Sequence, residues 1–291
     1  MNFRVAGIGE LLWDRFPDCD RLGGAPANFA FHAGQLGATA RIVSRLGRDA
    51  DGDRLIESLA QRKLATEFIQ RDASHPTGVV RVEIKEGQPA YVIESPSAWD
   101  YLELTDELKK LASTLDAVCS GTLAQRNSVS QRTIQEFVRL CPKKALRLFD
   151  INLRQNFSTR ETIEFGLSHA TALKLNGDEL RRVAALFGWP STGRETLTTI
   201  FKIFPLEWIA VTLGAEGCEI HTRDKIVRAR APKITCVDAV GAGDAFSAAL
   251  VTGLLSHLPL ETIAEQANRV GAYVASQSGA MPSLPKEIIT P

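Results

Sequence analysis

Short apolar segments alternate with amphipathic helical patterns along most of this 291-residue chain. The apolar segments, such as FRVAGIGE, ATARIVSRLG and LEWIAVTLG, are typical of buried strands. The segments between them, such as DADGDRLIESLAQR and SQRTIQEFVRLC, have the spacing and the capping residues of helices. Because strands and helices alternate, the sequence predicts an α/β fold in which a mainly parallel sheet has helices on both faces.

One region departs from this alternation. Residues 77–95 alternate between apolar and polar side chains around a central glycine, which is typical of a β-hairpin with one exposed face. The earlier segment ELLWDRFP is able to add a strand to it. We therefore expect a small accessory sheet, which is either a lid over a site at the carboxyl ends of the parallel strands or a hairpin without a role in function.

The charges of the chain balance. It has 34 basic and 34 acidic residues, so no global field attracts nucleic acid or an anionic membrane. The N-terminal segment lacks the apolar run of a signal peptide, and no apolar run is long enough to span a bilayer. The five cysteines are scattered and show no zinc-binding spacing. We therefore expect a cytoplasmic protein whose partners include neither nucleic acid nor a membrane.

The segment DAVGAGDAF carries the strongest chemical signal. Gly241, Ala242 and Gly243 have almost no side chains, and Asp244 follows them in the first turn of an apolar helical run. Bare N–H groups at a helix N-terminus bind anions, and the helix dipole keeps a nearby carboxylate ionised. This pair suits phosphoryl transfer to an alcohol, because the carboxylate takes the hydroxyl proton while the N–H groups hold the developing charge. A tight turn with an aspartate cap is the alternative.

Two other nucleotide-binding patterns are missing from the sequence. It has no GxxxxGK[ST] segment, so a P-loop is not predicted. The segment GIGELLW has only two of the glycines of a GxGxxG fingerprint. A dinucleotide-dependent oxidoreductase is therefore not predicted either.

DAVGAGDAF resembles the C-terminal signature of the ribokinase-like, or PfkB, carbohydrate kinases, and residues 23–52 resemble their N-terminal signature. GGAPAN, AWDYLE and GTLAQRN are most similar to fructokinases within that family. The resemblance implies a single ribokinase-like domain over residues 1–291, a three-layer αβα fold with a small β lid built from residues 11–22 and 76–101. It implies ATP-dependent phosphorylation of fructose to fructose 6-phosphate. Ribose, tagatose, 2-keto-3-deoxygluconate, a nucleoside or a non-catalytic binding role remain alternatives.

The resemblance also implies roles for single residues. Asp244 matches the catalytic base, and the backbone of residues 241–243 matches the anion hole. Arg154, in DINLRQ, is expected to pair with the transferred phosphoryl group, unless it forms a surface salt bridge. The positions that match sugar-hydroxyl ligands are Asp14, Gly23, Gly24 and Asn28.

On the nucleotide side, the family's N-x-x-E motif matches Asn176 and Glu179, where Glu179 positions Mg²⁺ through water. A capping box explains the same two residues and is compatible with that role. The remaining nucleotide-side positions implied by the resemblance are Lys174, Thr212, Gly214, Gly217 and Asn268. The segment that holds Thr212 and the two glycines also fits a plain hairpin turn.

Asp238 and backbone carbonyls around Val240 and Gly279 match the place where many family members bind K⁺ or another monovalent cation. The common family form is D-T-x-G-A-G-D, and Ala239 stands here in place of the threonine. The segment of residues 15–22 is short, which leaves the sugar open. A homodimer formed through the lid is a further implication of the resemblance.

Overall fold

The computed structural model describes residues 3–85, 88–190 and 192–290, and the side chains of residues 82–91 lie outside the description. The described strands are β1 (Arg4–Ile8), β2 (Leu12–Arg15), β3 (Asp20–Gly23), β4 (Thr39–Gly47), β5 (Ile69–Asp72), β6 (Gly78–Lys85), β7 (Gln88–Ile93), β8 (Ala117–Ser120), β9 (Leu146–Asp150), β10 (Ala172–Asn176), β11 (Trp208–Thr212), β12 (Cys218–His221) and β13 (Ile226–Ala229). The described α-helices are α1 (Ala25–Gln35), α2 (Ala50–Gln61), α3 (Asp106–Ala112), α4 (Ser128–Leu140), α5 (Arg160–His169), α6 (Gly177–Phe187), α7 (Gly193–Ile203), α8 (Ala242–Leu255), α9 (Leu260–Ala275) and α10 (Lys286–Ile289).

A nine-stranded sheet forms the centre of the molecule, in the order β13-β12-β11-β10-β9-β8-β1-β4-β5. Strands β5 to β11 in this order are parallel, whereas β12 and β13 are antiparallel at one edge. Successive side chains point to opposite faces, so Val5 and Ala6 of β1 enter different apolar clusters. The predicted α/β fold with a mainly parallel sheet is confirmed.

Helices cover both faces of this sheet, which makes three layers. Helices α1, α2, α8 and α9 contribute to the apolar cluster on one face, and α3 to α7 contribute to the two clusters on the other. Helix α2 begins where Asp49 accepts a hydrogen bond from the backbone N–H of Gly52 at 2.8 Å, as its capping pattern predicted. Helix α9 ends at Ala275, although the helical pattern of the sequence continues to Gly279.

Four strands form a second, small sheet in the order β3-β2-β6-β7, which we call the lid sheet. They come from the two predicted lid segments, of which residues 86 and 87 lie outside the described residues. The indole N–H of Trp13 in β2 donates to the carbonyl of Asp51 at 3.0 Å, which attaches this sheet to α2. Asp14 and Arg21 are direct neighbours across β2 and β3.

The parallel strands place several polar residues at one edge. Their carboxyl ends lie together, and ligands bind at this edge in open α/β sheets. Strand β1 leads into Glu10, β9 ends at Asp150 and β10 ends at Asn176. The N-terminus of α8 lies at the same edge. Its residue Asp244 is hydrogen-bonded to α1, the helix that follows the lid strands. In the part of the chain that the structure describes, no helix has the length and apolar character needed to cross a membrane.

Candidate active site

A hydrogen bond joins the two sequence signatures. The amide Nδ2 of Asn28, near the start of α1, donates to Oδ2 of Asp244, in the first turn of α8, at 2.8 Å across 216 positions of sequence. Asn28 is only 3% exposed, and its Oδ1 has no hydrogen-bond partner among the described residues. An unsatisfied buried acceptor is costly, so this oxygen is available to a hydroxyl donor of a ligand.

Asp244 is half-buried. Burial raises the pKa of its carboxyl to about 6, and the negative charge of Asp150 acts in the same direction. Lys174, the hydrogen bond from Asn28 and the charge of Arg154 oppose this rise. Asp244 is therefore mostly ionised at neutral pH and able to accept a proton.

The turn before α8, residues 241–243, is called the anion-hole turn below. Gly241 has a φ of 80°, and a Cβ there would lie 2.5 Å from that of Ala280, so only glycine fits. The N–H of Ala242 donates to the carbonyl of Ala239 at 3.3 Å. Among the described residues, the N–H groups of Gly241, Gly243 and Asp244 have no acceptor, whereas that of Ala242 is used within the turn.

A buried ion pair lies beneath this turn. The ammonium of Lys174 is 3.0 Å from Oδ1 of Asp150, whose Oδ2 accepts from the hydroxyl of Ser247 at 2.8 Å. Burial lowers the pKa of Lys174, but Asp150 and Asp244 outweigh it, so the pKa is raised and the side chain stays charged. A Cβ at Gly243 would lie 2.9 Å from Nζ. The ammonium thus brings positive charge under the anion-hole turn, a position that sequence reasoning assigned only to nucleotide contact.

The predicted sugar-side residues lie on the lid sheet and at the start of α1. A Cβ at Gly23 would lie 2.4 Å from Oδ2 of Asp14, and one at Gly24 would lie 2.4 Å from the carbonyl of Glu10. Gly23 therefore lets the Asp14 carboxylate lie directly against the backbone, and Gly24 lets the start of α1 lie against the backbone of Glu10. Burial raises the pKa of Asp14 to about 6, the charge of Arg154 lowers it, and Asp238 and Asp244 raise it further. The carboxylates of Asp14 and Asp244 are therefore close enough for their charges to interact.

Glu10 lines a cavity together with Asp244, and sequence reasoning missed it. It is 4% exposed, and its Oε1 accepts from the backbone N–H of Ala25, the first residue of α1, at 3.3 Å. Burial is the main reason that its pKa is raised to about 7. A carboxyl group directly after an apolar strand was the available signal. The cavity is lined by Glu10, Phe29, Thr122, Asp150, Asn152 and Asp244, among others.

The N-x-x-E motif forms the capping box that the sequence allowed. Oδ1 of Asn176 accepts from the N–H of Glu179 at 2.9 Å, and Oε2 of Glu179 accepts from the N–H of Asn176 at 2.8 Å. Oε1 of Glu179 also accepts from the N–H of Leu153 at 2.9 Å, which fastens the segment that carries Arg154 to α6. Each carboxylate oxygen keeps a lone pair for a metal-bound water, so Glu179 fits the predicted contact with Mg²⁺ through water.

The remaining nucleotide-side residues have structural roles of their own. Thr212 pairs with Asn176 across β10 and β11, and the segment after it turns back into β12 as a hairpin. Gly214 and Gly217 have φ values of 59° and 108°, and a Cβ at Gly217 would lie 2.0 Å from the carbonyl of Ala229. The amide of Asn268 donates to this same carbonyl at 2.9 Å. Their contacts with a nucleotide stay predictions.

Three hydrogen-bond donors surround Asp238. Oδ2 accepts from Nη1 of Arg21 at 2.6 Å and from the N–H of Gly279 at 3.1 Å, and Oδ1 accepts from the N–H of Val240 at 3.0 Å. A monovalent cation requires oxygen acceptors around it, whereas this carboxylate is turned toward N–H groups. The carboxylate of Asp238 therefore does not fit the role of a K⁺ ligand.

Comparisons with known proteins agree with this geometry. Residues 20–287 match the pfkB family of carbohydrate kinases. The fructokinase of Escherichia coli is 31% identical over 316 residues, which cover 98% of this chain and 97% of that protein. The structure of a Xylella fastidiosa fructokinase with bound ATP has a TM-score of 0.86 at 22% identity and covers 99% of this chain and 98% of that one. A double mutant of the Vibrio cholerae fructokinase with fructose, ADP and a potassium ion bound has a TM-score of 0.83 at 25% identity, covering 99% and 97%.

The chain belongs to the pfkB family of carbohydrate kinases, since the family match spans nearly its whole length. It is therefore a sugar kinase, a phosphotransferase whose acceptor is an alcohol group. The predicted family and the predicted ribokinase-like fold are both confirmed.

Proposed function

We propose that this kinase transfers the γ-phosphoryl group of ATP to fructose and yields fructose 6-phosphate. The hydrogen bond between Asn28 and Asp244 carries the proposal, because it joins the two sequence signatures at a buried amide and a carboxylate. The 31% identity to the Escherichia coli fructokinase supports fructose as the acceptor. The Xylella fastidiosa fructokinase, whose structure contains ATP, supports ATP as the phosphoryl donor.

In this mechanism Asp244 is the general base. Its free Oδ1 accepts a hydrogen bond from the primary hydroxyl of the sugar and takes the proton as the oxygen forms its bond to phosphorus. The bond from the γ-phosphorus to the bridging oxygen breaks, and ADP leaves with that electron pair. Asp244 has to be ionised for this step, which agrees with a pKa of about 6.

The other residues hold the sugar and stabilise charge. The Asp14 carboxylate and Oδ1 of Asn28 accept hydrogen bonds from the remaining hydroxyls. The N–H groups of Gly243 and Asp244, with the ammonium of Lys174 beneath them, stabilise the charge that develops on the transferred group. Arg154, which is exposed, is free to reach the same phosphoryl oxygens. Mg²⁺, when bound, neutralises phosphate charge, and Glu179 would hold one of its waters.

The lid sheet is proposed to close over the sugar within a single domain. Asp14 and Gly23 lie on two of its strands, so closure would bring sugar ligands to Asp244 and exclude water as a competing acceptor. Hydrogen exchange of β2 and β3 with and without fructose measures this. Equal exchange rates would contradict closure. Cytoplasmic location and a homodimer through the lid stay predictions.

A coupled assay of ADP release over a panel of acceptors tests the proposed reaction. We expect the largest kcat/KM with fructose among fructose, ribose, tagatose, 2-keto-3-deoxygluconate and adenosine. The Asp244→Asn variant, assayed at the same concentrations, controls for contaminating kinases. If ribose or adenosine were as good an acceptor as fructose, the assignment of fructose would be wrong while the kinase family would stand.

A further inference from the structure

Arg21 links the lid sheet to the segment just before the anion-hole turn. It lies in β3 opposite Asp14, and its guanidinium reaches Oδ2 of Asp238 at 2.6 Å. The side chain of Asp238 is only 12% exposed, so its negative charge is largely removed from water. A carboxylate in such a position needs a compensating charge or several hydrogen bonds. Arg21 supplies the first, and two backbone N–H groups supply the second.

We propose that Arg21 takes the place of a monovalent cation at Asp238 and thereby fastens the lid sheet to the anion-hole turn. The inference rests on the proposed kinase reaction. It adds that Arg21 supplies the positive charge next to Asp238. Among the described residues, the three partners of the Asp238 carboxylate are all donors, so a cation there would meet the positive ends of N–H dipoles. Ala239 also lacks the hydroxyl that a threonine would offer as a further oxygen ligand.

The contacts of Arg21 and Asp238 make the pair a positioning element. The N–H of Val240 donates a hydrogen bond to Asp238, which fixes the backbone just before Gly241. On the lid side, the guanidinium lies 4.6 Å from the centre of the Phe16 ring, which restrains it by a cation–π contact. Loss of the pair would therefore loosen β3 and the approach to the anion-hole turn together.

The first test compares turnover in potassium chloride with turnover in tetramethylammonium chloride, both at about 0.1 M so that screening is equal. We expect the two salts to give wild-type kcat values within about twofold of each other. The Arg21→Met variant should lose about tenfold in kcat, as for a charged hydrogen bond, and should regain part of it in potassium. Stimulation of the wild-type enzyme by potassium beyond about twofold, or no stimulation of Arg21→Met, would overturn the inference.

Arg15→Met is the matched control, because Arg15 is a lid arginine that pairs with Asp20 and Asp51 and not with the anion-hole segment. This variant should keep turnover and remain insensitive to potassium. If Arg15→Met behaved like Arg21→Met, the effect would be one of lid stability alone, and the role of Arg21 at Asp238 would be refuted.

Hydrogen exchange of the unliganded protein gives a readout that needs no activity. Arg21→Met and Asp238→Asn should each accelerate exchange both in β3 and in residues 236–241, whereas Arg15→Met should affect only the lid. Potassium should restore protection of residues 236–241 in Arg21→Met and leave the wild type unchanged. Acceleration confined to β3 would overturn the inference. If no acceptor were phosphorylated, the proposed function would fail, and the exchange result would still decide the inference.

Discussion

Asp244 carries a charge that the reaction needs and that the folded protein disfavours. Replacing it with asparagine keeps the shape of the side chain and an oxygen that accepts the hydrogen bond from Asn28, but removes the base. General-base catalysis contributes between about 10² and 10⁴ in rate, so we expect kcat to fall about 10³-fold. Binding of ATP should change little, because the backbone N–H groups of the anion-hole turn remain.

The same substitution should make the protein more stable at pH 8. The pKa of Asp244 rises from 3.8 to about 6 on folding. A rise of about two pH units corresponds to roughly 3 kcal/mol by which ionisation opposes folding. Partial solvent screening and the lost favourable contact with the dipole of α8 reduce the expected gain to about 2 kcal/mol. For a chain of this size that is a rise in Tm of about 3 °C.

The sign of the pH dependence follows from the two pKa values. Below 3.8 the carboxyl is neutral in both states, so the variant gains nothing. As the pH rises toward about 6, the unfolded state ionises while the folded state does not, and wild-type stability falls relative to the variant. Above about pH 6 the stability difference between variant and wild type stays constant. Because pH 5 lies about midway between the two pKa values, the gain there should be about half of the gain at pH 8.

Two measurements on the same variant check this reasoning. Urea unfolding at pH 5 and pH 8 measures the free energy of unfolding, and steady-state ADP release measures kcat. Near-normal turnover of Asp244→Asn would refute its assignment as the base. Equal stability of the two proteins at pH 8 would refute the argument that burial disfavours its charge.

Three further predictions follow from the contacts of the site. Asn28→Leu removes the hydrogen bond that lowers the pKa of Asp244, so the acid limb of the kcat/KM profile, expected near pH 6, should move to higher pH. Gly241→Ala should lower kcat by about tenfold or more, because a methyl group there clashes with the loop packed against it and tilts the N–H groups; unchanged kcat would contradict this. Lys174→Met leaves Asp150 buried without its partner and should lower the free energy of unfolding by about 3 kcal/mol, measured in urea at pH 8; a loss below about 1 kcal/mol would count against a buried ion pair.

The central sheet was predictable because its strands are buried on both faces and are therefore continuous apolar runs. The end of α9 was not predictable in the same way. The apolar and small-residue pattern continues past Ala275, but the carbonyl of Ala275 accepts hydrogen bonds from the N–H groups of Val237 and Asp238 at 2.9 and 3.2 Å. The helix therefore ends at a contact between segments that are distant in sequence, and no local sequence pattern predicts such a contact.

In the candidate site, too, some features were predictable from the local sequence and others were not. The anion-hole turn and Asp244 were predictable, since small residues before an apolar helix have a local physical meaning. Two features depend on which strand ends meet at the sheet edge, namely the position of Glu10 beneath α1 and the pairing of Lys174 with Asp150. Lys174 and Asp150 lie on adjacent strands in register, and the order of strands is not written in any one segment.

The acidic residues of the site and the charged Lys174 lie in different places, and their electrostatics suggest different roles. Glu10, Asp14 and Asp244 each have a raised pKa mainly because of burial, so all three oppose folding when they are ionised. A sugar provides hydroxyl donors that stabilise these charges, while a phosphoryl group is an anion and needs the opposite sign. Lys174 is paired with Asp150 and lies close to Gly243. In the proposed reaction its charge acts on the phosphoryl group. In the proposed reaction, acceptors for the sugar hydroxyls are therefore separate from donors for the phosphate, and Asp244 lies between the two groups.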